Sequence, residues 1–379
     1  MARLGDVCTI VSGTTPKSGH PEYWDGDINW VTPAELTDES DTVFESQRKI
    51  TQQAVSDSSL KPFPAGTVLL SSRAPIGKVA IAGVEMYCNQ GFKNLICSDV
   101  IYNRYLYHFL KGKTDYLNSL GRGATFKEIS KSIVEGIEIP LPALDEQRKI
   151  AAVLDKVSDL ISKRSQQLDK LDELVKARFV EMFGDIHQSR DFPYLSIKDF
   201  TNVISGGTPD RNMPQYWSNG KIKWVKTTEL KNKIIEDTEE KITKEGLKNS
   251  SAKIVPANTI LIAMYGQGKT RGMTGYLSVE ATTNQACACI LPSSKVNPQY
   301  LWQYMMMSYE KLRNLAKGGN QPNLNGAMIK DFPVLMPPID LQNQFAAFVE
   351  QTEKTKTTIN RSLTKLEMLK KALMQECFG

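Results

Sequence analysis

Apolar positions along the 379-residue chain follow two different periodicities, and each periodicity occurs twice. The first is short and strand-like. Residues 4–11 and 28–31 predict strands around a turn-rich Ser-Gly-Thr-Thr-Pro loop. Pro64 to Thr67 is a turn signal ahead of the apolar run at 68–70, and residues 79–82 and 95–97 predict further strands. Residues 104–120 carry helical spacing at Tyr105, Leu106, Phe109 and Leu110, and a short run at 137–141 is stopped by Pro140 and Pro142. This is the pattern of a mixed α/β domain built from short elements.

The second periodicity is long and helical. After Pro142 no Gly or Pro occurs until Gly184, and Asp145 is placed to cap the start. A heptad fits, with Ile150, Val157 and Leu171 at a positions, interrupted by Arg164 and Arg178. The d positions are Leu154, Ile161, Leu168, Val175 and Met182. The second copy, residues 340–378, has a seam of Phe345, Val349, Ile359, Leu363, Leu366 and Leu373, weakened by Thr352, Lys356 and Lys370. Each helix is about 39 residues, roughly 58 Å long. Neither seam should stay exposed. The chain can satisfy both with an antiparallel pair, which would set the two domains at opposite ends of a rod. Two helices lying on their own domains would be the other solution.

The whole arrangement is an internal repeat. Ser12 to Pro16 returns as Ser205 to Pro209, Tyr23-Trp24 as Tyr216-Trp217, Trp30-Val31 as Trp224-Val225, and Pro64 to Thr67 as Pro256 to Thr259. Asn89-Gln90 returns as Asn284-Gln285, and from there the register holds at 195 residues to the last helix. The middles, 38–62 against 232–254 and 71–88 against 263–283, do not match. Two frames that agree around interiors that differ suggest one task performed on two targets; duplication with neutral drift is the plain alternative. The predicted fold is α+β: two similar mixed α/β domains, residues 1–141 and 185–336, separated by long helices at 142–184 and 337–379.

Composition narrows the picture modestly. A net charge of +5 and pI near 8.7 permit nucleic-acid binding without demonstrating it. No apolar run approaches a membrane span, and no secretory pattern opens the chain, so a cytoplasmic protein is expected. The six cysteines include no Cys-x-x-Cys pair, which argues against structural metal. Cys287-Ala288-Cys289 reads as strand.

Each helix follows a motif of the Pro-Pro-Leu-x-Glu-Gln type, here Pro142 to Gln147 and Pro337 to Gln342, and each domain opens with Ser-Gly-x-Thr-Pro followed by Tyr-Trp. In this order, duplicated and so spaced, the motifs closely resemble the specificity subunits of type I restriction-modification systems, the HsdS family. The resemblance covers essentially the whole chain. It implies that each domain is a target recognition domain reading one half of a split double-stranded DNA site. The helices would then set the gap and dock two methyltransferase subunits. S-adenosylmethionine would sit in those partners, ATP and Mg in a restriction subunit where one is present, and no cofactor in this chain. One departure, Glu146 becoming Leu341, bears on capping or docking at the second helix.

Reading DNA needs donors that reach base edges and cations that meet phosphates. In the first domain the candidates are Thr14, Lys17, Ser72, Arg73, Lys78, Arg122 and Lys127. In the second they are Thr208, Arg211, Tyr265, Gln267, Lys269, Arg271, Lys317, Asn320 and Gln321, with the Gly-rich loop at 264–273 foremost. Trp24, Trp30, Trp217 and Trp224 recur in domains of different specificity, which favours core over base stacking. Asn89-Gln90 and Asn284-Gln285 fit phosphate contacts and turns equally.

Enzyme readings are weak. Gly266 to Thr270 ends like a P-loop, but Ala263 stands where its first Gly belongs. Asn297-Pro298-Gln299-Tyr300 is near the adenine methyltransferase motif, but Gln299 breaks it and a helix start explains Pro298. Three scattered histidines give hydrolytic catalysis little to work with. A helical scaffold that binds no DNA is the remaining alternative, with a self-contained adenine methyltransferase well behind it.

Overall fold

The structure, a computed structural model, describes residues 1–123, 127–189, 191–266, 268–316 and 323–379. The chain forms two compact units, Met1–Ser165 with Arg361–Gly379, and Gln166–Asn360. Both units are α+β with the same sheet topology. In the first, a five-stranded sheet runs in the order Cys8–Val11, Asn94–Cys97, Val68–Leu70, Val79–Ala82, Thr42–Val43. In the second the order is Val203–Ser205, Cys287–Ile290, Ile260–Ala263, Thr274–Leu277, Lys233–Ile235. Neighbours are antiparallel except for the last pair in each. A three-stranded sheet flanks each, Lys49–Ile50, Trp24–Val31, Tyr87–Cys88 and Glu240–Ile242, Ile222–Val225, Thr282–Thr283. The equivalence therefore extends into 38–62 and 232–254, where the sequences share no motif.

Within the domains, two local expectations need correction. Residues 4–7 form one helical turn before the strand begins at Cys8. The 104–120 stretch divides at Gly112 into α1 (Asn103–Lys111) and a shorter helix, Thr114–Leu120.

The two long helices are α2 (Leu144–Phe183) and, after α3 (Pro298–Met307), α4 (Ile339–Phe378). Asp145 is not the cap. It lies inside the first turn, and the carbonyl of Ala143 accepts the N–H groups of Glu146 (2.9 Å) and Gln147 (3.0 Å). The helices run antiparallel within each unit. In the second unit Lys356 pairs with Asp172, Arg178 lies over the Phe348 ring at 5.9 Å, and the Phe183 and Phe345 rings meet at 5.7 Å. In the first, Ile150 and Leu154 share a groove with Leu373 and Cys377, as Ile161 does with Lys370 and Met374.

The predicted seam is buried unevenly. Leu154, Val157, Val175, Phe345 and Val349 are buried; Ile150, Ile161, Leu168, Leu171, Ile359, Leu363, Leu366 and Leu373 are only half-buried. The cause is a third surface. Near its domain, each helix is covered by the domain core as well as by the other helix. Phe179 and Phe183 show this best: Phe179 stacks on Tyr300 at 5.8 Å, and both are fully buried although Phe179 and Phe183 lie off the heptad. In the first unit Phe378 fills the same role against Tyr105 (5.0 Å) and Phe109 (5.6 Å). Two of the polar seam residues are satisfied in place. Thr352 donates its hydroxyl to the Phe348 carbonyl at 2.9 Å. Burial works against the charge of Lys356, and Asp172 and Glu353 restore it.

A buried glutamine fixes the start of each long helix. Gln147 accepts the Tyr102 N–H (2.8 Å) and donates to the carbonyls of Val100 (2.9 Å) and Pro142 (2.8 Å). Gln342 likewise accepts the Asn297 N–H (2.9 Å) and donates to the Pro337 carbonyl (2.8 Å). The Glu146/Leu341 difference is peripheral to this anchor: Glu146 is exposed and pairs with Lys149 at 3.8 Å. Below the first anchor, Arg104 ties α1 to Asp41 and to Asp155 of α2, and Asp155 also meets His108 Nε2 at 2.7 Å. Burial dominates His108 and lowers its pKa from the ordinary 6.5, despite the opposing pull of Asp155. The histidine is therefore neutral at pH 7 and donates to the carboxylate.

Gln147→Ala should strip a donor and an acceptor from several buried backbone groups and destabilise the chain by about 2–4 kcal/mol, read as a lower urea midpoint. Gln342→Ala should do the same in the second unit. The depressed His108 pKa means that its contribution is complete above pH 6.5 and is lost as pH falls through the folded-state value. The fall in melting temperature between about pH 7 and 5.5 should be smaller for His108→Gln than for the parent chain; equal falls would contradict the assignment.

Candidate nucleic-acid interface

In each unit the first strand of the large sheet ends in the Ser-Gly-x-Thr-Pro turn. A Cβ at Gly13 would lie 1.9 Å from the Cys88 carbonyl oxygen, and one at Gly206 would lie 2.2 Å from that of Thr283. Only glycine allows this approach. The Thr15 hydroxyl donates to Gln90 Oε1, and Thr208 to Gln285 Oε1. Trp30 Nε1 donates to the Thr14 carbonyl at 3.1 Å, and Trp224 Nε1 to the Gly207 carbonyl at 2.9 Å. Trp24 meets Trp30 edge-on at 5.2 Å and Trp217 meets Trp224 at 5.0 Å. The four tryptophans thus support the turn from within, with Trp30 and Trp224 each 2% exposed. The Asn-Gln pairs resolve as turn residues. Asn89 accepts the Gly91 N–H at 2.8 Å, and the N–H groups of Asn89 and Asn284 bond Val31 (3.2 Å) and Val225 (3.0 Å).

Backbone bonds join this turn to the other expected loops of the first unit. Ser72 N–H bonds the Gly91 carbonyl (2.8 Å), Ile129 N–H bonds the Ser72 carbonyl (2.9 Å), and Arg122 and Glu128 exchange bonds of 3.0 and 2.9 Å. Thr14, Lys17, Arg122 and Lys127 are exposed on the loops so joined. Three candidates are placed differently. Ser72 is fully buried, with Lys93 Nζ at 3.3 Å from its hydroxyl, so its side chain faces the interior rather than a ligand. Arg73 is half-buried at 3.9 Å from Glu128, which also binds Lys93 at 3.0 Å. Lys78 turns away to pair with Asp38.

In the second unit the 264–273 loop connects Ile260–Ala263 to Thr274–Leu277. Its glycines Gly266, Gly268 and Gly272 take positive φ of 143°, 59° and 86°, and the first two explain why the P-loop likeness is superficial: they serve the turn. Met264 N–H bonds the Ala286 carbonyl at 2.8 Å, bringing the loop beside Gln285. The loop is braced from behind. Arg313 donates to the Gly268 and Arg271 carbonyls at 2.9 and 3.0 Å, and Tyr309 to the Lys269 carbonyl at 2.7 Å. Tyr265 and Lys269 remain exposed, and Thr208 and Arg271 are half-buried. Arg211 is committed to Glu240 and lies 3.8 Å over the Trp217 ring. Gln267, Lys317, Asn320 and Gln321 lie outside the described residues. Asn297 caps α3, accepting the Gln299 and Tyr300 N–H groups at 2.9 and 3.2 Å, which accounts for the Asn-Pro-Gln-Tyr sequence structurally.

Sequence reasoning left Gln90 and Gln285 open between turn and phosphate roles, and missed Thr15 as a partner in the turn's clasp and Arg313 as the loop's brace. The recurrence of Thr-Pro and Asn-Gln carried the first signal; nothing in the sequence marked Arg313. Trp224→Phe keeps most of the apolar volume and leaves the Gly207 carbonyl without its donor. A loss of about 1–3 kcal/mol is expected, measured by urea unfolding, and an unchanged midpoint would show that the indole N–H contributes nothing.

Comparison with known proteins agrees with this twofold build. The sequence profile of the type I restriction modification DNA specificity domain matches residues 1–172 and again residues 190–368. The specificity subunit of the type I restriction enzyme MjaIX from Methanocaldococcus jannaschii is 29% identical, over 98% of this chain and 90% of its own length. That of EcoprrI from Escherichia coli is 22% identical, over 97% of this chain and 90% of its own. In fold, the chain is similar to the type I restriction-modification S subunit from M. genitalium, with a TM-score of 0.59 at 15% identity, covering 100% of this chain and 95% of that one. With one copy of the profile on each of its two frames, the chain belongs to the DNA specificity family of type I restriction-modification systems.

Proposed function

We propose that each domain reads one half of a split, asymmetric DNA site and that this chain performs no chemical step. The observation that carries the reading is a shared frame bearing unlike loops. The Trp-held turn and the sheet order are common to both units, whereas the hairpin loops at 71–78 and 264–273 differ in length and chemistry. Exposed Lys17, Arg122, Lys127 and Lys269 suit phosphates, and exposed Thr14 and Tyr265 suit base edges. Methyl transfer, with its S-adenosylmethionine, belongs to two methyltransferase subunits in this reading, and ATP and Mg to a restriction subunit where one assembles. Solvent-exposed Val153, Leu160, Leu174, Val180, Met368 and Leu369 on the long helices supply apolar surface for such partners. Among the described residues no helix is long and apolar enough to cross a membrane.

Replacing residues 1–141 with the corresponding domain of another family member should change one half of the methylated sequence and leave the other intact, as read by methylome sequencing of cells carrying the hybrid. A change in both halves would overturn the division of labour.

A further inference from the structure

At one equivalent position of their common frame the two units carry opposite charges. The strands Lys49–Ile50 and Glu240–Ile242 pair with the Trp-bearing strands in the same register: Ile50 faces Ile28, and Ile242 faces Ile222. Two further contacts extend the match. The hydroxyl of Ser46 accepts the Trp30 N–H and donates to the Arg48 carbonyl, and Thr238 does the same for Trp224 and Glu240. Glu35 accepts the Gln47 N–H, as Glu229 accepts that of Glu239. Arg48 and Glu240 are therefore equivalent positions carrying opposite charges.

A guanidinium nevertheless covers the tryptophan pair in both units. In the first it is that of Arg48, 3.8 Å from the Trp24 ring centre and 5.5 Å from Trp30. In the second it is that of Arg211, which arrives from the turn and lies 3.8 Å from Trp217 and 4.7 Å from Trp224. What differs is how the donors are used. Glu240 takes Arg211, and it also takes Lys226 at 3.0 Å. Arg48 is exposed and, among the described residues, pairs with no carboxylate; neighbouring Glu45 meets Lys49 at 3.5 Å instead. Stacking uses the face of a guanidinium and leaves the N–H edge free, held in one orientation. The stack is on Trp24, whose ring meets that of Trp30, the residue that grips the Thr14 carbonyl; in the second unit it is the turn's own Arg211 that reaches the corresponding place, which puts this edge beside the turn.

We propose that Arg48 is a phosphate-contacting residue of the first reading surface, whereas at the equivalent place of the second the guanidinium of Arg211 is held by Glu240. The inference rests on the DNA-reading function above. A phosphate is the ligand because the stack fixes a charged edge beside the reading turn, and phosphate contacts position a duplex without choosing its sequence.

The test is the salt dependence of duplex binding by the full chain assembled with its partner subunits, using a duplex that carries the sequence recovered from the methylome and a scrambled one. Arg48→Ala should flatten the slope of log affinity against log salt by about 0.9, the release of one phosphate contact. It should weaken both duplexes alike, so that their affinity ratio is unchanged. Arg48→Lys should keep the parental slope. Arg211→Ala should also keep it, since Glu240 already holds that charge. A parental slope in Arg48→Ala would overturn the proposal and leave Arg48 as a brace for the tryptophans; the melting temperature of each variant checks that folding is intact. Failure of the parent complex to prefer its own sequence would overturn the DNA-reading function itself, a separate outcome.

Discussion

Neither domain closes its core with its own residues alone. The first takes Ala151 and Leu154 from α2 and Phe378 from α4; the second takes Val175, Phe179 and Phe183 from α2 and Phe345 and Val349 from α4. Burying such side chains stabilises by about 1.5–3 kcal/mol each, so a domain without its helix segments would expose a large apolar face. The long helices are thus structural parts of both domains. Gln147 and Gln342 make the connection rigid, because each satisfies backbone groups on the domain and at the helix start together. The domain's own part of the first core lies more than two hundred residues along the chain from Phe378, which makes folding of that unit dependent on contacts of high sequence separation.

On this foundation the proposed reading surface is held by main-chain bonds together with the Thr–Gln clasps, the tryptophan donors and the Arg313 and Tyr309 brace. The turns, the Asn-Gln segments and the hairpin loops are linked through main-chain N–H and carbonyl groups, and the side chains on their outer face make few internal contacts. Where a candidate side chain does make them, as with Ser72, Lys78 and Arg211, it is withdrawn from the surface. Charge alone is therefore a poor guide to the interface. Lys93 and Glu128 lie in the middle of the first unit's loop cluster, yet they serve each other and Ser72.

Much of this was legible in the sequence, because duplication makes a chain its own comparison. Strands at 68–70, 79–82 and 95–97, the antiparallel helix pair and the structural role of the tryptophans all followed from periodicity and recurrence. The misses have identifiable physical causes. A heptad describes two helices alone, so it overlooked Phe179, whose partners Tyr300 and Tyr304 come from a domain. Residues 4–7 carry β-branched and apolar character but form a turn of helix, because the strand pairing with Asn94–Cys97 starts only at Cys8. The strands Thr42–Val43 and Lys233–Ile235 were hidden because they pair at a sheet edge, where side-chain identity is loosely constrained and divergence leaves no motif. Loop residues were the least legible, since whether an exposed cation meets a carboxylate depends on segments distant in sequence.

The grip of Trp30 and Trp224 has a wider consequence. Each indole holds a carbonyl, a group that every amino acid carries; at residue 14 the side chain beyond it is an exposed Thr, whereas a Cβ at Gly207 would lie 2.4 Å from the Ala252 nitrogen. The anchor is blind to what it anchors. Substitution at Thr14 can therefore alter what the first turn displays while its carbonyl stays held, so new binding preferences can arise there by single exchanges, whereas position 207 is closed to any side chain and the second turn must diversify elsewhere.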